Sequence, residues 1–200
     1  MANPTVGIIG GGFVGNAVAY GLNQAEIDIK IYDVDKKKAT DTFRDTVECA
    51  DFIFVCVPTP MKNTGEIDLS IVDQVMYDIY ANDIMDDTIV ILKSTVVPGT
   101  CDNIAKKYPK LHLVYNPEFL TARKAKFDFI NPGRIVLGGY AKYVVNVEIL
   151  YRKRFAVPNF IKTDYVTAEF IKYLSNCYFA TKIGFMNEMY QIAKELNADW

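Results

Sequence analysis

The chain has 200 residues, half of them hydrophobic, enough for one large α/β domain or for one domain and the start of another. Its formal net charge is −2, its sequence pI is near 5.5, and no run of like charge is longer than Lys36-Lys37-Lys38. Binding to nucleic acid or to an anionic membrane therefore has no electrostatic support, and small-molecule partners are expected. The single histidine, His112, and the scattered Cys49, Cys56, Cys101 and Cys177 form no zinc spacing, no C-x-x-C pair and no conventional triad. No metal site is expected, and reduced thiols suit a cytoplasmic chain. MANPTVGIIGGG has no basic n-region and its apolar run is broken by glycines, so neither a signal peptide nor a membrane helix is expected there.

In chain order, TVGIIG, IDIKIYD, ADFIFVCV and TIVILKS are short β-branched runs that alternate with helix-period stretches, FVGNAVAYGLNQ and LSIVDQVMYDIY. This alternation predicts a Rossmann-like, doubly wound and mostly parallel sheet covered on both faces. Further strands are predicted at LHLVY, RIVLGG and NFIKTD, with a short helix after Gly99 and another around Tyr140 to Tyr151. From Tyr165 to Asn197 no proline intervenes, and the stretch reads as one long helix. Its apolar stripe is too wide for one face, which predicts burial between layers or between subunits. Residues 1–163 thus read as one domain and 164–200 as a long helix beginning a central region.

Gly10, Gly12 and Gly15 form G-x-G-x-x-G between the first strand and the first helix. A tight turn, close backbone approach to a pyrophosphate and close helix–strand packing are the separate demands on the three glycines. The helix N-terminus adds amide donors and partial positive charge. Asp33 ends the second strand about twenty residues on, where an acid receives adenosine ribose hydroxyls. Its carboxylate would repel a 2′-phosphate and favours NAD over NADP; Lys36 to Lys38 follow closely and read mainly as a solvated helix start.

Ligands of open parallel sheets gather outside the carboxyl ends of the strands. Three polar loops fall there: VPTP (57–60), KSTVVPGT (93–100) and NPEFL (116–120). Glu118 stands out as a carboxylate in an apolar setting, which costs free energy unless something pairs with it. On the long helix, Lys172 and Asn176 lie four residues apart, on one face, where a cationic and an amide donor can converge on one atom. His112 and the cysteines read as structural.

With these loops in place, GIIGGGFVG, IYDVD, VCVPTP, KSTVVPGT, YNPEFL, the DF..P.RIVLGG run and AEFIKYLSNCYFATKIGFMNE resemble the UDP-glucose/GDP-mannose dehydrogenase family across essentially the whole length. The resemblance implies NAD-dependent oxidation of the C6 alcohol of a nucleotide sugar, UDP-glucose above GDP-mannose, to a carboxylate through an aldehyde and a cysteine thioester. It implies cofactor contacts from Gly10, Gly12, Phe13, Val14, Gly15 and Asp33, with Lys38, Thr59 and Thr95 as further candidates. Thr95 would lie near the nicotinamide and the reacting water. Glu118 would handle the water that hydrolyses the thioester, and Lys172 and Asn176 would stabilise oxygen charge at the substrate carbon. A homodimer is implied as well.

The sequence departs from the family pattern twice. A second acid is expected four residues beyond Glu118, and the position is Ala122, within the basic stretch TARKAKF; Arg123, Lys124 and Lys126 read as a solvated face. None of the four cysteines occupies the family's nucleophile setting, and the chain stops at ELNADW where family members continue into a second domain. The expectation is a chain that binds NAD(H) and does not complete the oxidation alone. Two alternatives remain. A β-hydroxyacid or 6-phosphogluconate dehydrogenase relative also pairs a glycine-rich turn with Lys and Asn four apart, but the NPEFL loop argues against it. A dinucleotide-binding module without catalysis is the other.

Overall fold

The structure is a computed structural model that describes residues 3–23, 26–82, 84–155 and 159–200, and of Ala122 the backbone only. Gln24, the last residue of the first helical stretch read from the sequence, lies outside the described residues. The strands are β1 (Thr5–Ile9), β2 (Asp28–Tyr32), β3 (Phe52–Val55), β4 (Ile89–Leu92), β5 (His112–Tyr115), β6 (Ile135–Gly139) and β7 (Phe160–Thr163). The helices are α1 (Phe13–Leu22), α2 (Phe43–Val47), α3 (Ser70–Ala81), α4 (Thr100–Lys107), α5 (Ala125–Ile130), α6 (Ala141–Arg152) and α7 (Tyr165–Glu195). All seven strands fall on runs expected from the sequence. The short α2 and α5 were not expected, because five- and six-residue helices carry too few turns to show a 3.6-residue period.

The strands form one sheet in the order β2-β1-β3-β4-β5-β6-β7, parallel throughout except that β5 and β6 run antiparallel. Period-2 alternation divides the core between its two faces. Ile9, Ile53, Val55, Val90, Leu92, Leu113, Tyr115 and Val136 face a layer holding α2, α3, α4 and the start of α7. Val6, Ile8, Phe54, Ile89, Ile91, Val114, Ile135 and Leu137 face α1, α5 and α6. Both faces are covered, so the central strands are apolar at every position, and each such side chain contributes about 2 kcal/mol by burial. From β1 the chain steps to β2 on one side and β3 on the other. That reversal of strand order opens a crevice at the carboxyl ends of β1 and β3.

Of the two surroundings expected for helix α7, layers of the sheet cover its start only. Tyr165, Ala168, Glu169 and Lys172 are buried, but Leu174, Tyr178, Phe179, Ile183, Phe185 and Ile192 are all exposed. The helix docks on the sheet through its first turns only, so its later apolar residues are not covered by layers of this chain.

Candidate active site

The glycine turn occupies the crevice between β1 and β3. Gly10 has φ +101°, and a Cβ there would meet the Cys56 carbonyl oxygen at 2.6 Å, so the turn and the closeness of β3 both require glycine. A Cβ on Gly15 would lie 1.9 Å from the Gly10 oxygen, which lets α1 start directly against the strand. At Gly12, the N-cap, a Cβ would meet nothing within 4 Å, and no side chain caps the helix. The first-turn amides of α1 are thus left without a side-chain cap beside open space at Gly12, as an anion-binding helix end requires. Phe13 is exposed and Val14 half-buried beside it.

Asp33 is joined to this turn. Its Oδ2 accepts from Gly11 N at 2.8 Å and its Oδ1 from Asp35 N at 2.8 Å, so the acid is fixed while each oxygen keeps a lone pair for a hydroxyl donor. Lys38 approaches the turn through its backbone: a Cβ on Gly11 would lie 2.6 Å from the Lys38 carbonyl oxygen, and the Lys38 ammonium stands 3.5 Å from Asp35. An open cradle, free helix amides and an acid at the end of β2 fit a dinucleotide.

Two hydroxyls tie the loop after β3 to the loop after β4: Ser94 Oγ donates to the Val57 carbonyl at 2.6 Å and Thr59 Oγ1 to the Thr95 carbonyl at 2.9 Å. Thr59 and Thr95 line a cavity of about 520 Å³ together with Tyr173, Asn176 and the exposed Cys177 of α7. The neighbouring thiol of Cys56 is pushed up to about 12 by burial, against the pull of Lys93, so it is no thiolate at neutral pH.

Glu118 is paired. Lys172 Nζ lies 2.9 Å from Glu118 Oε1 and also donates to the Glu118 carbonyl, and Leu120 N donates to Oε2 at 2.6 Å. The Lys172 side chain is 4% exposed and that of Glu118 17%, an ion pair largely removed from water rather than a surface one. The convergence of Lys172 and Asn176 on one atom is not made here. The buried ammonium takes the carboxylate, while the exposed Asn176 lines the cavity with Thr59 and Thr95. Arg123, Lys124 and Lys126 are exposed, and the Lys126 ammonium sits 5.0 Å from the Tyr20 ring centre.

Two buried charges escaped the sequence reading. Lys93, 4% exposed, donates to the Asn116 side-chain oxygen at 2.9 Å and its carbonyl at 3.2 Å; Tyr151 Oη donates to that side-chain oxygen at 2.6 Å. Burial lowers the Lys93 ammonium to about 8, with Cys56 and Glu118 acting against it. Glu169, fully buried, accepts from Gly99 N at 2.6 Å and Cys101 N at 2.7 Å and so caps α4, whose N-cap Gly99 has no side chain to do it. Burial raises the Glu169 carboxyl, and the same two amides pull it back.

Residues 38–154 match the UDP-glucose/GDP-mannose dehydrogenase family, NAD binding domain, and residues 166–200 match that family's central domain. The chain belongs to this family. Over 172 residues it is 37% identical to the UDP-glucose 6-dehydrogenase of Rickettsia conorii, covering 82% of this chain and 39% of that protein. A GDP-mannose dehydrogenase from Pseudomonas aeruginosa, solved as a ternary complex, superposes with a TM-score of 0.86 at 27% identity, over 97% of this chain and 54% of that one. A UDP-glucose dehydrogenase from Pyrobaculum islandicum gives 0.86 at 25% identity, over 98% and 54%. The chain therefore spans about two fifths of the curated relative and about half of the solved ones. NAD is the cofactor named for the matched domain, and the open glycine turn with Asp33, which precedes the matched residues, has a shape and donor set that fit it.

Proposed function

We propose that this chain supplies the cofactor-binding half of an NAD-dependent nucleotide-sugar 6-dehydrogenase, oxidising the C6 alcohol of UDP-glucose to the carboxylate. The largely buried Glu118–Lys172 pair after β5, at the same sheet edge as the glycine turn, carries the reading. Bound NAD would supply the hydride acceptor, one equivalent for each of the two oxidations from alcohol to carboxylate. Gly10, Gly12, Phe13, Val14 and Gly15 would hold its pyrophosphate at the start of α1, Asp33 its ribose hydroxyls, and Lys38 and Thr59 the flanks. Glu118 would take a proton from water at Oε1 or Oε2, as a carboxylate held beside an ammonium and an amide is placed to do. Asn176 Nδ2 would donate to oxygen charge developing at the substrate, with Thr95 bordering the same space, and Lys172 Nζ would join it on turning from the Glu118 carboxylate.

Residues 1–163 would form the cofactor domain and 164–200 the start of a central region through which two copies pair along the exposed apolar part of α7. The described cysteines are unpaired, which suits a reducing cytoplasm. Among the described residues no helix is long and apolar enough to cross a membrane. NADH production from UDP-glucose tests the function, followed with this chain and with a form extended by the family's second domain. Activity in the extended form that falls at least about a hundredfold in Glu118→Gln supports the proposal; inactivity of both forms, with NAD still bound, would favour a binding module without catalysis.

A further inference from the structure

The loop that carries Glu118 is held from behind. Lys93, the first residue after the fully apolar β4, sends its ammonium across to the end of β5, where it grips both oxygens of Asn116. Asn116 is 2% exposed, and each of its polar groups is used: its amide nitrogen donates to the Leu92 carbonyl at 2.9 Å, its Nδ2 to the Val136 carbonyl at 2.8 Å, and its side-chain oxygen accepts from Lys93 and Tyr151. One buried side chain thus joins β4, β5, β6 and α6. Two residues on, past Pro117, stands Glu118.

A stability role explains this poorly. The Lys93 hydrogen bonds go to neutral oxygens, and its burial lowers the affinity of the ammonium for its proton, so folding disfavours the cation that the site nonetheless holds. We infer that Lys93 is a positioning residue: by fixing Asn116 it sets the Asn116-Pro117-Glu118 segment so that the Glu118 carboxylate meets Lys172 and the Leu120 amide. Around Lys93 stand Cys56 after β3, Glu118 after β5, Phe129 on α5 with its ring centre 5.9 Å away, Tyr151 on α6 and Lys172 on α7. Of these, Glu118 and Cys56 favour the charged form and Lys172 opposes it. Lys93, its ammonium lowered by burial to about 8, loses its charge just above neutrality, and the loop geometry should follow it. The functional weight of this clamp rests on the role proposed for Glu118; the clamp itself does not.

Amide hydrogen exchange on this chain, read by NMR and corrected for intrinsic rates, tests the clamp without any catalysis. The Leu120 amide reports the Glu118 carboxylate, and the Ile91 amide in β4 reports the core. At pH 7 Lys93→Met should lower Leu120 protection about tenfold without lowering that of Ile91, as expected for loss of a charge-assisted contact that acts locally. In the wild type, Leu120 protection should fall about threefold as pH rises through about 8. Lys93→Arg, which a cavity of about 660 Å³ beside Lys93 can accommodate, should keep the protection and abolish the pH step. Tyr151→Phe removes one hydroxyl and should lower Leu120 protection by a smaller factor, which decides the matter if the Lys93 variants do not fold. Unchanged Leu120 protection, or equal losses at Leu120 and Ile91, would overturn the inference. A Glu118→Gln enzyme with full activity would instead overturn the catalytic reading and leave this exchange pattern intact.

Discussion

The carboxyl edge of the sheet and the outer part of α7 invert the usual rule of burial in opposite directions. At the sheet edge Lys93, Glu169 and Lys172 are hidden, each with hydrogen-bond partners on a different element. Along α7 beyond Leu174, large apolar side chains stand in solvent. Buried charges cost folding free energy and mark a place where geometry serves something other than stability. Exposed apolar surface of this extent marks an interface that another surface should cover. One helix carries both messages, which is why its sequence pattern reads as ambiguous.

The sharpest way to break this contrast is Glu169→Ala. It leaves the part-buried Gly99 amide and the buried Cys101 amide without their acceptor, at about 1 to 3 kcal/mol each, so urea unfolding should show a loss of about 4 kcal/mol. Next comes the pH dependence of Lys93. Folding lowers its proton affinity from 10.5 to about 8, so its contribution is fully present above pH 10.5 and is lost as pH falls toward about 8. Unfolding at a series of pH values should show wild type gaining about 3 kcal/mol on Lys93→Met over that window. Lys172→Met should cost about 2 kcal/mol in the same assay, discounted because the unpaired Glu118 can turn toward solvent. Smallest is Ile183→Glu on the outer helix. Its effect on monomer stability should be under about 0.5 kcal/mol, whereas sedimentation should show self-association weakened, and a large loss of stability would place that face in a core instead.

Much of this arrangement was legible from residues. Short strand runs such as IVIL and FIFV, alternating with helix-period stretches, told of a parallel sheet covered on both sides, and the spacing from Gly10 to Asp33 pointed to a dinucleotide cradle at the strand ends. Glu118 was conspicuous because an acid among apolar neighbours needs a partner, although the identity of that partner depends on α7 crossing the loop. Lys93 and Glu169 were not legible, since a lysine after a strand and a glutamate in a helix ordinarily face water. Their signals were indirect. Gly99 opens α4 with no capping side chain, so a cap had to come from elsewhere, and Asn116 beside Pro117 in an apolar run had polar groups to satisfy. The Lys172–Glu118 pairing was not legible either, because helical spacing sets a shared face for Lys172 and Asn176 and says nothing about which carboxylate is nearest.

Calorimetric titration of this chain with NAD and with NADP tests the central claim most directly. The account predicts saturable one-to-one binding of NAD, weaker binding of NADP because Asp33 meets the 2′-phosphate, and loss of at least about tenfold in NAD affinity for Asp33→Ala. A properly folded chain that binds neither dinucleotide, or whose NAD affinity is indifferent to Asp33, would contradict it.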